Sequence, residues 1–85
     1  MIDYKKLEAG LNKLTGFDLL TLEQEERMAG NKTLELSTSK SFQARLAAKA
    51  LDMNVHDLYQ LPLKEFNTVC VYVFGFLNEP AEATT

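Results

Sequence analysis

The sequence predicts an all-α fold, a small bundle of three to four helices within one domain. Two observations favour it: apolar side chains recur at helical spacing along three segments, and the middle of the chain is rich in alanine. The 85 residues suffice for a single domain, and we expect residues 1–78 to form it. Residues 79–85 are small and polar and contain a proline, so we expect a flexible tail.

The first segment carries apolar residues at helical spacing: Tyr4, Leu7, Leu11 and Leu14. Gly10 and Asn12 weaken this helix, so a short extended N-terminal segment, covering residues 2–12, is the alternative. The spacing favours the helix.

A second helix is expected to begin at Thr15, whose hydroxyl would cap it while Asp18 reaches back to complete a capping box. It would end near Ala29, because Gly30 and Asn31 suit a left-handed C-terminal cap. Its predicted apolar side consists of Phe17, Leu20 and Met28, with Leu19 and Leu22 beside them. Its predicted solvated acidic side consists of Glu23, Glu25 and Glu26.

Residues 31–38 are expected to form a connection in which residues 33–36 could be extended. Ser37, Thr38 and Ser39 are candidate caps for the next helix. That helix has a well-defined apolar stripe, made of Phe42, Leu46, Ala50 and Met53 with Ala47 and Leu51 beside them. Its alanines would let another helix approach closely.

Asn54 is expected to cap a short turn over residues 55–61, and Pro62 suits the first position of a last helix over residues 62–78. Val69, Val71 and Val73 alternate as in a strand, which leaves a strand as the alternative. The polar start of the segment favours the helix.

This last helix would be apolar nearly all round over residues 69–77. We expect its core face to be Phe66, Val69, Val73 and Leu77. The candidate residues for binding a partner or a second copy of the chain are Phe66, Val71, Tyr72, Phe74 and Phe76. The alternative is that all of them belong to the core.

Nothing in the sequence indicates catalysis or a cofactor. Cys70 is the single cysteine and His56 the single histidine, which excludes an internal disulfide and a zinc site. We expect Cys70 to be a small buried apolar residue and His56 a solvated turn residue. The glycines lack phosphate-binding spacing. We therefore expect a non-enzymatic protein with no catalytic residues, cofactor, metal ion or small-molecule substrate.

The charge balance argues against nucleic acid as a partner. Twelve acidic and nine basic residues give a net charge of −3, and only Lys5 and Lys6 are adjacent basic residues. Residues 43–58 do have the rhythm of a helix-turn-helix, which leaves a small DNA-binding regulator as an alternative. The start lacks a signal-peptide core and no apolar run could span a membrane, so we expect a soluble, cytosolic protein.

Three short motifs carry a resemblance to a known family. Residues 14–20 are Leu-Thr-Gly-Phe-Asp-Leu-Leu, residues 61–66 are Leu-Pro-Leu-Lys-Glu-Phe, and Phe76-Leu77 closes the last helix. In this order they resemble the small tail assembly chaperones of long-tailed bacteriophages and prophages, over roughly residues 11–77. Members of that family often have an extended segment before the Thr-Gly step, where residues 4–11 here favour a helix.

The resemblance implies a protein that binds and solubilises the tape-measure protein and hands it to tail-tube subunits during tail morphogenesis. It implies a homo-oligomer in the cytoplasm of the bacterial host, absent from the mature virion, and it supplies no catalytic residues. Besides the DNA-binding regulator, a small acidic inhibitor of a host protein is the competing hypothesis.

Overall fold

The computed structural model describes residues 2–80, which are all-α as the sequence predicts. The helices are α1 (Tyr4–Lys13), α2 (Gly16–Met28), a short 3-10 helix (Leu36–Thr38), α3 (Lys40–Leu51), α4 (Val55–Tyr59) and α5 (Leu63–Asn78). Among these residues there is no strand, so the extended alternative for the N terminus and the strand alternative for the valines of α5 are wrong. In residues 33–36 the backbone of Glu35 is extended, and Leu36 begins the 3-10 helix.

Helix α3 is the centre of the fold, and each of the other helices packs against it. Its stripe is confirmed at Phe42 and Leu46, which are buried, but burial extends well beyond the stripe to Gln43, Ala44 and Ala48. Small side chains on several sides of α3 let neighbouring helices approach from several directions. The core is therefore a shell of leucines, valines and aromatic residues around one alanine-rich helix.

A close backbone approach joins α1 to α3. A Cβ atom placed on Gly10 would lie 2.0 Å from the carbonyl oxygen of Ala50. Gly10, which by propensity weakens α1, is thus the residue that allows α1 to pack at this distance. Leu7 and Leu11 of α1 are buried on either side of the contact.

The helix ends follow local capping rules, most of which the sequence revealed. Thr15 and Asp18 form the expected capping box, and Gly30 adopts a left-handed conformation with φ of 100° after α2. Asn54 caps α4, and Ser39 precedes α3 without a side-chain capping bond. Helix α1 has a cap that the sequence analysis does not predict: the Asp3 carboxylate accepts hydrogen bonds from the backbone N–H groups of residues 5 and 6.

The predicted tail begins directly after α5, where Glu79 and Pro80 are exposed. Residues 81–85 of that tail, like Met1, lie outside the described residues. No helix within the described range 2–80 is long and apolar enough to cross a membrane.

Candidate interaction surfaces

Helix α2 differs most from the prediction, in which of its sides packs against the core. The side predicted to be buried faces solvent: Phe17 is 85% exposed, Leu20 62% and Met28 80%. We call these three residues the outer stripe. Leu22, which is buried, and Leu19, which is partly buried, were predicted to lie beside them, and these two are the residues that pack towards α3.

The second half of this correction is Glu26, predicted to be solvated and found to be only 3% exposed. Its carboxylate accepts a hydrogen bond from Arg45 Nε at 2.8 Å and another from Asn31 Nδ2 at 2.7 Å. The hydroxyl of Ser41 donates a third. We call these four residues the Glu26 network. It satisfies a buried charge in full, which is the condition for burying one.

The environment of Glu26 changes its acidity in two opposing ways. Burial alone raises the pKa of a carboxyl group, because it disfavours the charged form. The hydrogen bonds from Ser41, Asn31 and Arg45, with the charge of Arg45, outweigh burial, and the pKa of Glu26 is lowered. The carboxylate is therefore ionised at neutral pH and pairs with an arginine that also lies 3.5 Å from Glu25.

Side chains also hold the connection between α2 and α3. The guanidinium of Arg27 donates to the carbonyl oxygens of Asn31, Thr33 and Leu34. The Gln43 amide donates to the carbonyl oxygen of Ser37 at 2.6 Å, which explains why a glutamine is buried in α3. These contacts span only four to seven residues of the chain, and together they fix the course of the connection between the two helices.

Helix α5 divides its apolar residues between the core and the surface. Val69, Cys70 and Val73 are fully buried. Of the five candidate partner-binding residues, Val71 is 57% exposed and Phe74 40%. We call these two residues the α5 patch. They line a shallow depression of about 210 Å³ together with Thr38, Lys40 and Gln43 of the neighbouring segments.

The other three candidate residues are partly buried. Tyr72 packs against Tyr4 of α1, with ring centroids 5.5 Å apart. Phe66 lies edge-on to Tyr59 at 6.0 Å. Phe76 borders an apolar cavity of about 180 Å³ where the C-terminal end of α5 meets α1 and α2. The structure thus brings Val71 and Phe74 together on the surface and directs the remaining three towards neighbouring helices, and partner binding by these residues stays a prediction.

The residues considered for catalysis are placed as expected. The Cys70 thiol is buried, which raises its pKa, and it donates weakly to the carbonyl oxygen of Lys40 at 3.7 Å. His56 is exposed, with its ring edge-on to Tyr59. Across residues 2–80, no group of three metal-ligating side chains comes together.

The helix-turn-helix rhythm corresponds to α3, a turn at residues 52–54, and α4. Asp52 makes the turn in a left-handed conformation with φ of 57°. The second helix of a DNA-binding motif lies in the major groove, but α4 has only five residues, and its exposed Asp57 would oppose the phosphates.

Comparison with known proteins adds no relative: no family model, curated protein or solved structure matches this chain.

Proposed function

We propose that this protein is a non-enzymatic phage tail assembly chaperone, which binds and solubilises the tape-measure protein and hands it to tail-tube subunits. The observation that carries the proposal is the amount of large apolar side chain left at the surface of so small a domain. The outer stripe of α2 and the α5 patch lie on helices that share α3 as their main packing partner. Exposed apolar patches commonly mark sites of protein association.

A long amphipathic helix without its sheath aggregates, because its apolar side meets water. A client of this kind is covered by helix-in-groove contacts with apolar anchors spaced along one face. Many weakly bound copies along one client gain avidity without any single strong contact. The acidic balance of the chain adds solubility to the assembly.

The proposal is tested by co-expressing the tagged chain with the tape-measure protein and the tail-tube protein of the same phage or prophage. The complex is purified and its mass measured by light scattering. We expect several copies of the chain on each tape-measure chain. A monomer that ignores both proteins would overturn the proposal.

Two pairs of substitutions locate the client surface within such a complex. Val71→Gln with Phe74→Gln removes the α5 patch, and Phe17→Gln with Leu20→Gln removes the apolar side chains at the start of the outer stripe. Glu25→Ala on α2 and Thr68→Ala on α5 are matched controls, because both residues are exposed and polar and Glu25 lies beside the outer stripe and not within it. We expect at least one pair to abolish recovery of the tape-measure protein while the controls and the helical circular dichroism stay unchanged.

The competing hypotheses predict different results, one of them in a gel-retardation assay of the purified chain. A DNA-binding regulator would retard duplex DNA at low salt, where phosphate contacts are strongest. We expect no retardation at micromolar protein. An inhibitor of a host protein would form a complex of one to one with its target and none with the tape-measure protein.

A further inference from the structure

Helix α2 has two apolar sides, and the more apolar one faces solvent. At 3.6 residues per turn, the outer stripe lies roughly opposite Leu19, Leu22 and Glu26. The side packed on α3 thus contains two leucines and a carboxylate, whereas the exposed side contains a phenylalanine, a leucine and a methionine. Burial of apolar area alone would favour the opposite orientation of α2 on α3.

We propose that the Glu26 network determines which side of α2 packs against α3, and so keeps the outer stripe at the surface. Glu26 is then a positioning residue of an interaction surface that it does not itself belong to. The inference does not depend on the identity of any client.

Three features of the network fit this role. It connects α2 to α3 through Arg45 and Ser41, and to the following connection through Asn31, so its geometry can form in one orientation only. All of its buried side-chain polar atoms have partners among the described residues. Turning α2 over would take the carboxylate away from every one of these donors.

Energetic arguments also indicate that the network orients α2 more than it adds to the stability of the fold. Burying an ion pair gains little stability compared with apolar residues of similar size, because desolvation offsets the attraction. Removing one partner from a satisfied group is costly, however, and a single buried polar residue can select one packing arrangement over another. The network therefore penalises the competing orientation more than it stabilises the observed one.

The test measures which side of α2 is exposed, by the rate at which an added thiol reacts with a maleimide. Gln24→Cys places the thiol among the residues of the outer stripe without removing any of its apolar side chains, and Leu22→Cys places it on the packed side. The native Cys70 is buried and reacts slowly, so it does not obscure the signal. In the parent chain we expect fast reaction at position 24 and slow reaction at position 22.

The decisive comparison is between Glu26→Ala and Glu26→Leu, which both remove the carboxylate. Alanine leaves the packed side poor in apolar area, so we expect α2 to turn, with labelling at position 24 slowed and labelling at position 22 accelerated by about tenfold or more. Leucine makes the packed side as apolar as the outer stripe, so we expect the parent pattern. Glu25→Ala removes only the exposed partner of Arg45 and should also leave the pattern unchanged.

Several results would overturn the proposal. Unchanged labelling in Glu26→Ala would show that apolar contacts alone orient α2. Fast labelling at both positions would show that the helix has come away from α3 instead of turning. If Glu26→Ala does not fold, Arg45→Ala removes the donor on α3 instead, and the same two labelling patterns decide.

Discussion

Helices α1 and α2 pack on the same central helix in opposite ways. Helix α1 meets α3 through buried leucines at a glycine contact that brings the two backbones together. Helix α2 is longer, yet it meets α3 through fewer residues and a buried carboxylate, and its most apolar side chains stay exposed. The comparison teaches that the amount of apolar surface on a helix does not decide which side is buried. At α1 the close fit at Gly10 determines which side of the helix is buried. At α2 the hydrogen bonds and the ion pair of Glu26 determine it.

Gly10→Ala is expected to have the largest effect, because it disrupts the packing of α1 on α3. The added Cβ would meet the Ala50 backbone at 2.0 Å, and a backbone atom cannot move aside as the end of a flexible side chain can. We expect a loss of about 3 kcal/mol or more in the free energy of unfolding, at or above the upper range for overpacking. Chemical denaturation followed by circular dichroism measures it. A loss below about 1 kcal/mol would show that α1 can move away from α3 at little cost.

Glu26→Ala removes the buried carboxylate through which α2 contacts α3. We expect it to lower the free energy of unfolding by about 1–3 kcal/mol, the range for lost hydrogen bonds to a charged group. The loss stays within that range because Arg45 is partly exposed, so water can solvate its guanidinium once the carboxylate is removed. Glu25→Ala is the matched control and should change stability by no more than about 0.5 kcal/mol. Equal effects of the two substitutions would contradict the importance of the buried carboxylate.

Lowering the pH tests the contribution of the Glu26 carboxylate to stability without changing the volume of any side chain. The pKa of Glu26 in the folded chain lies below its ordinary value of 4.5, so below that pH the unfolded chain takes up the proton first. The stability contributed by the carboxylate is therefore full above about pH 4.5 and is lost as the pH falls through the folded pKa. We expect the stability difference between the parent and Glu26→Gln to shrink over this range. Parallel pH profiles of the two chains would contradict the lowered pKa.

The sequence predicts the positions of the helices better than it predicts which side of each helix is buried. Caps and spacing are local, so the helical class, the Thr15 capping box and the start of α5 after Pro62 could be found from neighbouring residues. The orientation of α2 could not, because its outer stripe has ordinary helical spacing and the donors to Glu26 lie as far away as Arg45. The single local hint was that α2 has apolar residues on more than one side.

The surface of α5 was predicted in part for the same reason. Val71 and Phe74 are exposed, but Tyr72 and Phe76 contact residues that lie far away in the sequence. Spacing along one helix identifies opposite sides, whereas the number of sides that become covered depends on the arrangement of the other helices. The helices packed around α5 cover part of its circumference and leave the α5 patch uncovered.

The smallest expected effect comes from a substitution at Gly75, which tests whether the surface of α5 near this residue is free or covered by a second chain. A Cβ on Gly75 would meet nothing within 4 Å among the described residues, in contrast to the contact at Gly10. Gly75→Ala should therefore raise the free energy of unfolding of the monomer by about 0.5–1 kcal/mol, since alanine favours a helix interior. Gly75 lies one turn after Val71, so a second chain packed closely on the α5 patch would meet the new methyl group. We expect the variant to be more stable at low concentration and, if the α5 patch binds the client, to bind it less well. Light scattering and denaturation of the same samples measure both quantities, and destabilisation at low concentration would contradict the open surroundings of Gly75.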